Sequence, residues 1–132
     1  MDIEQRLVLY SCAMGTFSVT VGVHPADRSG PPESIPLMVD TGATYTCLPR
    51  PLLERLGYRP VGRRQVVFAN GTEAEWEVTV ITLSLLGPVL PTLCFMAPNA
   101  SPGLLGAVTL EEFGLGVDPV GKRLIPVKTY LT

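Results

Sequence analysis

Thirteen glycines and thirteen prolines are spread through these 132 residues, and they limit the possible folds more than any other feature. Proline stops a helix and removes a ladder donor, and glycine weakens the interior of either regular element. The chain is therefore cut into short segments, and their patterning is that of a mainly β domain. Thr16 to Val23 is the clearest case, with Phe17, Val19, Val21 and Val23 on one face and Thr16, Ser18 and Thr20 on the other. A polar loop from Ala26 to Glu33 follows and is expected to be a disordered tip. The apolar run Ile35-Pro36-Leu37-Met38-Val39 is a second, buried strand.

Asn70-Gly71, between Gln65–Ala69 and Thr72–Val80, predicts a tight hairpin with a two-residue turn. In that register Arg64 faces Glu77 and Phe68 faces Glu73, while Val67, Ala74 and Trp76 share the other face. The apolar phase then shifts from Val78 and Val80 to Ile81, Leu83 and Leu85, which predicts a bulge or bend. Two short helices are expected. One runs from Pro51 to Gly57, with proline at its start and glycine past its end. The other begins at Thr109, with Thr109 and Glu112 as a capping box and Gly114 as the C-cap. Asp118 is a turn acid within Val117–Lys122, ahead of a closing strand from Arg123 to Val127.

Length suits a single domain over residues 1–132 with a core of its own. Hydrophobic content of 46% against 17% charged residues excludes a disordered chain. The net charge is −2 and the basic residues are scattered, so no nucleic-acid footprint exists; Arg63-Arg64 reads as a solvated strand end. Cys12, Cys47 and Cys94 lack C-x-x-C spacing and read as reduced core residues. His24, the single histidine, falls before Pro25 in an exposed loop, which leaves no His-rich metal site. Neither metal nor organic cofactor is expected. Met1 to Arg6 carries no basic region before an apolar one, so a cytoplasmic location is expected. Without an export signal, the glycosylation patterns Asn70-Gly71-Thr72 and Asn99-Ala100-Ser101 are accidental. Val78 to Pro98 runs 21 residues without a charge, yet Gly87-Pro88 and Pro91 break it into strand, turn and strand rather than a membrane helix.

Against this background Val39-Asp40-Thr41-Gly42-Ala43-Thr44 stands out. A strand buried by its composition ends on a carboxylate, which is costly unless that acid is hydrogen-bonded, paired or chemically engaged. A hydroxyl and a glycine follow it, a donor and a place where backbone can approach closely. Leu104-Leu105-Gly106, ahead of the second helix, repeats the apolar-apolar-small pattern without an acid.

Taken in order, the Asp40-Thr41-Gly42-Ala43 turn, the Ala69-Asn70-Gly71 hairpin, Leu104-Leu105-Gly106 and a following helix resemble a retropepsin-like aspartic protease. The resemblance spans about residues 35–126. It implies a closed β-barrel-like acid protease fold with one or two short helices and a flap hairpin. It also implies a homodimer, since each chain supplies one Asp-Thr-Gly turn, acting on a peptide or protein substrate. Asp40 and its two-fold mate would share one proton and activate a water. Thr41 would bond across the dimer, Gly42 would leave room for substrate backbone, and Ala69, Asn70 and Gly71 would form the flap, with Phe68 and Trp76 bracing it. Leu104, Leu105 and Gly106 would support the turn from behind. Activity would be best on the acidic side of neutrality.

The arginine and acid pair of retroviral members is absent, because Ala107 and Thr44 stand at those places. The chain thus resembles cellular or bacterial members more than viral ones, with Leu7–Tyr10 and Ile125–Leu131 as candidate dimer strands. Two other readings fit the sequence: a catalytically silent dimer of this fold acting as an interaction module, and a small β-barrel that binds an apolar ligand.

Overall fold

The structure is a computed structural model that describes residues 17–98 and 102–131. Cys12, the Leu7–Tyr10 segment, Thr16 and the Asn99-Ala100-Ser101 pattern lie outside the described residues. Mainly β structure is observed. The strands are β1 (Ser18–Val23), β2 (Glu33–Val39), β3 (Thr46–Pro49), β4 (Gly62–Val67), β5 (Glu73–Ser84), β6 (Val89–Ala97), β7 (Leu104–Leu105), β8 (Leu115–Asp118) and β9 (Arg123–Pro126). Two short helices, α1 (Arg50–Arg55) and α2 (Ala107–Glu112), interrupt them.

One sheet has the order β1-β2-β7-β3-β6-β5-β4, and β1 also pairs with β5 through Gly22–Ser84 and Val23–Leu83. That short seam bends six strands into a ring and leaves β4 outside it, bonded to β5 alone. The Tyr58 hydroxyl fastens the seam, donating to the His24 carbonyl at 2.6 Å and accepting from the Thr82 amide at 3.0 Å. The β1 alternation sends Val21 and Val23 inward, where they meet Leu37, Leu48, Ile81 and Leu83 in a buried core. β8 and β9 form a separate two-stranded ribbon.

The uncharged stretch is the second half of β5 and all of β6, paired antiparallel from Val78–Phe95 to Ser84–Val89. No helix among the described residues is long and apolar enough to cross a membrane. The predicted bulge at Val80–Ile81 is absent, because the β5–β6 ladder runs unbroken through it. What changes there is the covering of the strand. Ala74, Trp76 and Val78 are sheltered on one face, while Thr79, Ile81 and Leu83 are buried on the other.

The hairpin register also differs from expectation by one residue. Arg63 opposes Glu77, Arg64 opposes Trp76 and Val67 opposes Glu73. The Phe68 amide donates to the Thr72 carbonyl, which closes a three-residue loop of Ala69, Asn70 and Gly71 instead of a two-residue turn. Gly71 has φ +87° and its amide donates to the Phe68 carbonyl, a type I turn closed by a left-handed residue. Asn70 favours this loop by accepting from both the amide and the hydroxyl of Thr72.

α1 begins one residue before the expected Pro51, which lies in its first turn, and Gly57, with φ +91°, follows its end as expected. α2 starts two residues earlier than predicted, with Gly106 as N-cap, so Thr109 and Glu112 are not a capping box. The expected Gly114 C-cap is present, with φ +68° and its amide on the Glu111 carbonyl. The Ala26–Glu33 loop has a defined path rather than a disordered tip, tied by Ala26 to Leu56 and by Asp27 to Ser29. His24 is half-buried, not exposed, and its Nε2 has no partner among the described residues. Asp118 is the turn acid expected of it. Its carboxylate accepts from the Gly121 and Val120 amides and from Arg123, and these bonds hold its pKa below the ordinary value.

Candidate active site

β2 delivers Asp40 to the start of a turn that leads into β3, and β7 is wedged between those two strands. It pairs parallel with β2 through Met38–Leu104 and Val39–Leu105, and antiparallel with β3 through Cys47–Leu104. The Asp40 amide donates to the Leu105 carbonyl at 3.0 Å, so the acid is fixed at its main chain by the last residue of β7. Its Oδ1 accepts from the Gly42 amide at 2.9 Å, and the Ala43 amide donates to the Asp40 carbonyl at 3.1 Å. Oδ2 has no hydrogen bond from the described residues. Asp40 is half-buried, while Thr41 and Gly42 are exposed.

The far side of the turn is held by α2. Its first two amides, Ala107 and Val108, donate to the carbonyls of Ala43 and Thr44 at 2.8 and 2.9 Å. Unpaired helix N-terminal donors thus find partners in the acid-bearing turn itself. Gly106 makes the approach possible: a Cβ there would lie 2.4 Å from the Tyr45 carbonyl carbon. Leu105 is fully buried beneath the turn.

A line of hydroxyls that was not anticipated from the sequence continues inward from this contact. The Gly106 amide donates to Thr46 Oγ1 at 3.1 Å, Thr46 and Thr109 hydroxyls lie 2.6 Å apart, and Thr109 and Thr92 hydroxyls 2.8 Å apart. Thr92 donates to Glu112 Oε1 at 2.6 Å. A hydroxyl has one proton, so the carboxylate at the end sets every direction: Thr92 gives to Glu112, Thr109 to Thr92, and Thr46 to Thr109. All three threonines are buried. The only sequence signal was three threonines placed at inward positions of otherwise apolar elements.

A cleft of about 830 Å³ separates this turn from the β4–β5 hairpin. Gly42, Ala43, Thr44 and Tyr45 line one wall. The other is lined by β4, Phe68, Thr72 and Trp76, with Phe95 and Leu104 at the base. Phe68 and Trp76 meet edge to face at 5.5 Å, and Tyr45 and Phe95 are also 5.5 Å apart. Asn70 and Gly71 lie at the hairpin tip; Ala69 precedes them. The structure therefore sets the acid turn, backed by Leu104-Leu105-Gly106, across a cleft from the hairpin; Gly42, Ala43 and Leu104 line that cleft, whereas Asp40, Thr41, Ala69, Asn70, Gly71, Leu105 and Gly106 do not. Arg63 and Arg64 are both exposed near the start of β4, as expected, and the Arg64 guanidinium also sits 5.5 Å over the Tyr45 ring and lines the cleft.

Cys47 and Cys94 are unpaired thiols on adjacent strands. Burial pushes Cys47 up to about 11, and burial followed by the neighbouring Cys47 raises Cys94 as well. Both are protonated near neutrality and unsuited to act as nucleophiles. Among the described residues no group of His, Cys, Asp or Glu could hold a metal ion.

A family model described as "gag-polyprotein putative aspartyl protease" matches residues 32–112. No curated protein sequence matches the chain. Among solved structures, the simian foamy virus (mac) protease is similar, with 21% identity, a TM-score of 0.53, and coverage of 74% of this chain and 94% of that one. A retropepsin-like aspartic protease from Rickettsia conorii aligns with 20% identity and a TM-score of 0.54, over 83% of this chain and 77% of that one. The retroviral protease-like domain of Ddi1 from Leishmania major gives 16% identity and a TM-score of 0.55, over 85% and 88%. At such identities the likeness speaks for a common fold.

Proposed function

Since the chain belongs to the gag-polyprotein aspartyl protease family, we propose that it is an aspartic endopeptidase whose working unit is a homodimer. The observation that carries this reading is the fixation of Asp40. Main-chain bonds from β7 and within the turn hold one end of the residue, and one carboxylate oxygen is left without a partner among the described residues. A half-buried acid held in this way keeps one oxygen open to a second group such as water or another carboxyl.

One chain contains one Asp-Thr-Gly turn, and its Thr41 and Gly42 are exposed. A second copy placed against that turn supplies the other acid, with Thr41 bonding across the pair. Two carboxylates in contact cannot both ionise, so the pair holds a single proton, a behaviour known for aspartic proteases as a class. The charged member takes a proton from water as that water attacks the peptide carbonyl. The protonated member donates to the carbonyl oxygen as the tetrahedral intermediate forms. Leu104, Leu105 and Gly106 hold the turn from behind. The substrate lies extended in the cleft, where β4 offers a sheet edge not bonded to another strand and the hairpin tip at Ala69, Asn70 and Gly71 closes over it.

Digestion of a peptide library at several pH values, by wild type and Asp40→Asn, tests the reading. Wild type cleaves best on the acidic side of neutrality with a bell-shaped profile, and the variant loses about 10³-fold or more in kcat/KM while remaining folded. Cleavage that survives the substitution overturns the mechanism. Binding of the same peptides without cleavage by wild type would leave a silent interaction module.

A further inference from the structure

Among the described residues the cleft has a single charged lining residue, and it is a cation. Arg64 stands on β4 directly opposite Trp76, so both side chains share the face that looks across to the catalytic turn. Its neighbour Arg63 points the other way and pairs with Glu75 at 3.2 Å. The carboxylates of β5 alternate away from the cleft with Arg63, and Glu77 there is taken by Arg50. Among the described residues no aspartate or glutamate lines the cleft, and none of their carboxylates pairs with Arg64. What holds the guanidinium instead is the Tyr45 ring, itself packed on Phe95. This cation–π contact holds the guanidinium while no described carboxylate occupies its N–H donors, which suits bidentate binding of a carboxylate.

We propose that Arg64 is a specificity-determining residue that selects extended peptides carrying an aspartate or glutamate beside apolar or aromatic side chains. The acidic side chain meets the guanidinium at the β4 wall, and the apolar ones seat against Phe68, Trp76 and Phe95. In a symmetric dimer each half of the cleft brings its own Arg64, so acidic residues are favoured on both sides of the scissile bond. The inference rests on the protease reading for its cleavage readout, but the binding chemistry stands apart from it.

Matched peptides differing only by Glu or Gln at each position around the cleavage site are compared on wild type, Arg64→Gln and Arg64→Glu. Arg64 is exposed, so the variants keep the wild-type melting temperature. Wild type is expected to favour Glu by about tenfold in kcat/KM at one position in each half, the size of one charge-assisted contact. Arg64→Gln removes the preference and Arg64→Glu turns it toward Lys. Binding is followed in parallel by the fluorescence of Trp76, the only tryptophan, which lies in the cleft wall. Cleavage with no preference for the acid, or a preference that persists in Arg64→Glu, overturns the inference and leaves the protease reading intact. Absence of cleavage together with Arg64-dependent binding of the Glu peptides does the reverse. Absence of both sinks the two together.

Discussion

Thr109 carries a burden unusual for its size: its hydroxyl is fully buried within a helix and joins the turn-bearing strand to β6. Thr109→Val keeps the shape but leaves the proton of Thr46 without an acceptor and removes the donor to Thr92. The expected cost is about 1–3 kcal/mol in urea unfolding, the penalty of stranding buried polar groups. Because Thr46 also receives the Gly106 amide, kcat should fall as well, and a Thr92→Val/Thr109→Val pair should lose less than the sum of its parts.

Cys47 supplies a second residue-scale prediction, on the alkaline side. Its thiol is raised from 9.0 to about 11 by burial, so the folded chain holds this proton more tightly than the unfolded one. The resulting stabilisation is complete below pH 9 and is lost as pH rises from there toward 11, on the order of 2–3 kcal/mol. Urea midpoints at pH 8 and pH 10.5 should show this decline, and Cys47→Ser should lessen it, leaving the part that the buried Cys94 thiol contributes.

At the scale of elements, the hairpin is the part most exposed to local change. Gly71→Ala forces a side chain into φ +87° at about 1–2 kcal/mol, in a tip that adds nothing to the core. The melting temperature should fall by about 3–10 °C, while KM for peptides should rise as the tip loses its loop form.

The same hairpin shows what could and could not be read from the sequence. Its existence was plain from Asn70-Gly71 between two alternating runs, because turn chemistry is local. Its register was not, since the choice between a two- and a three-residue loop depends on where Phe68 and Thr72 pair. The acid turn and its strand were legible for the same local reason. So was Gly114, a left-handed helix stop. The start of α2 was misplaced because Thr109 and Glu112 mimic a cap, yet both serve contacts across the fold. The threonine chain joins residues 46, 92, 109 and 112, and nothing short-range in the sequence marks such a set.

For the whole molecule, the proposed pairing of two exposed Asp-Thr-Gly turns sets the state in which it would work. Activity drawn from two half-sites must depend on protein concentration. Specific activity should therefore fall on dilution below the dimer dissociation constant, tracking the mass measured by light scattering. The described C-terminal stretch fits a role in that contact. Tyr130 and Leu131 are more than four-fifths exposed, an apolar end with no covering among the described residues.

On the proposed function, the wedge of β7 also governs when the site can form. Asp40 and its turn are made before the residues that lock them, Leu105 to Val108, which follow more than sixty positions later. A ribosome-bound chain that has not reached that point carries the acid with no frame around it. Long-range closures of this kind are late events in folding. A growing polypeptide of this kind is thus disarmed by its own connectivity, and truncation before the wedge yields a harmless fragment.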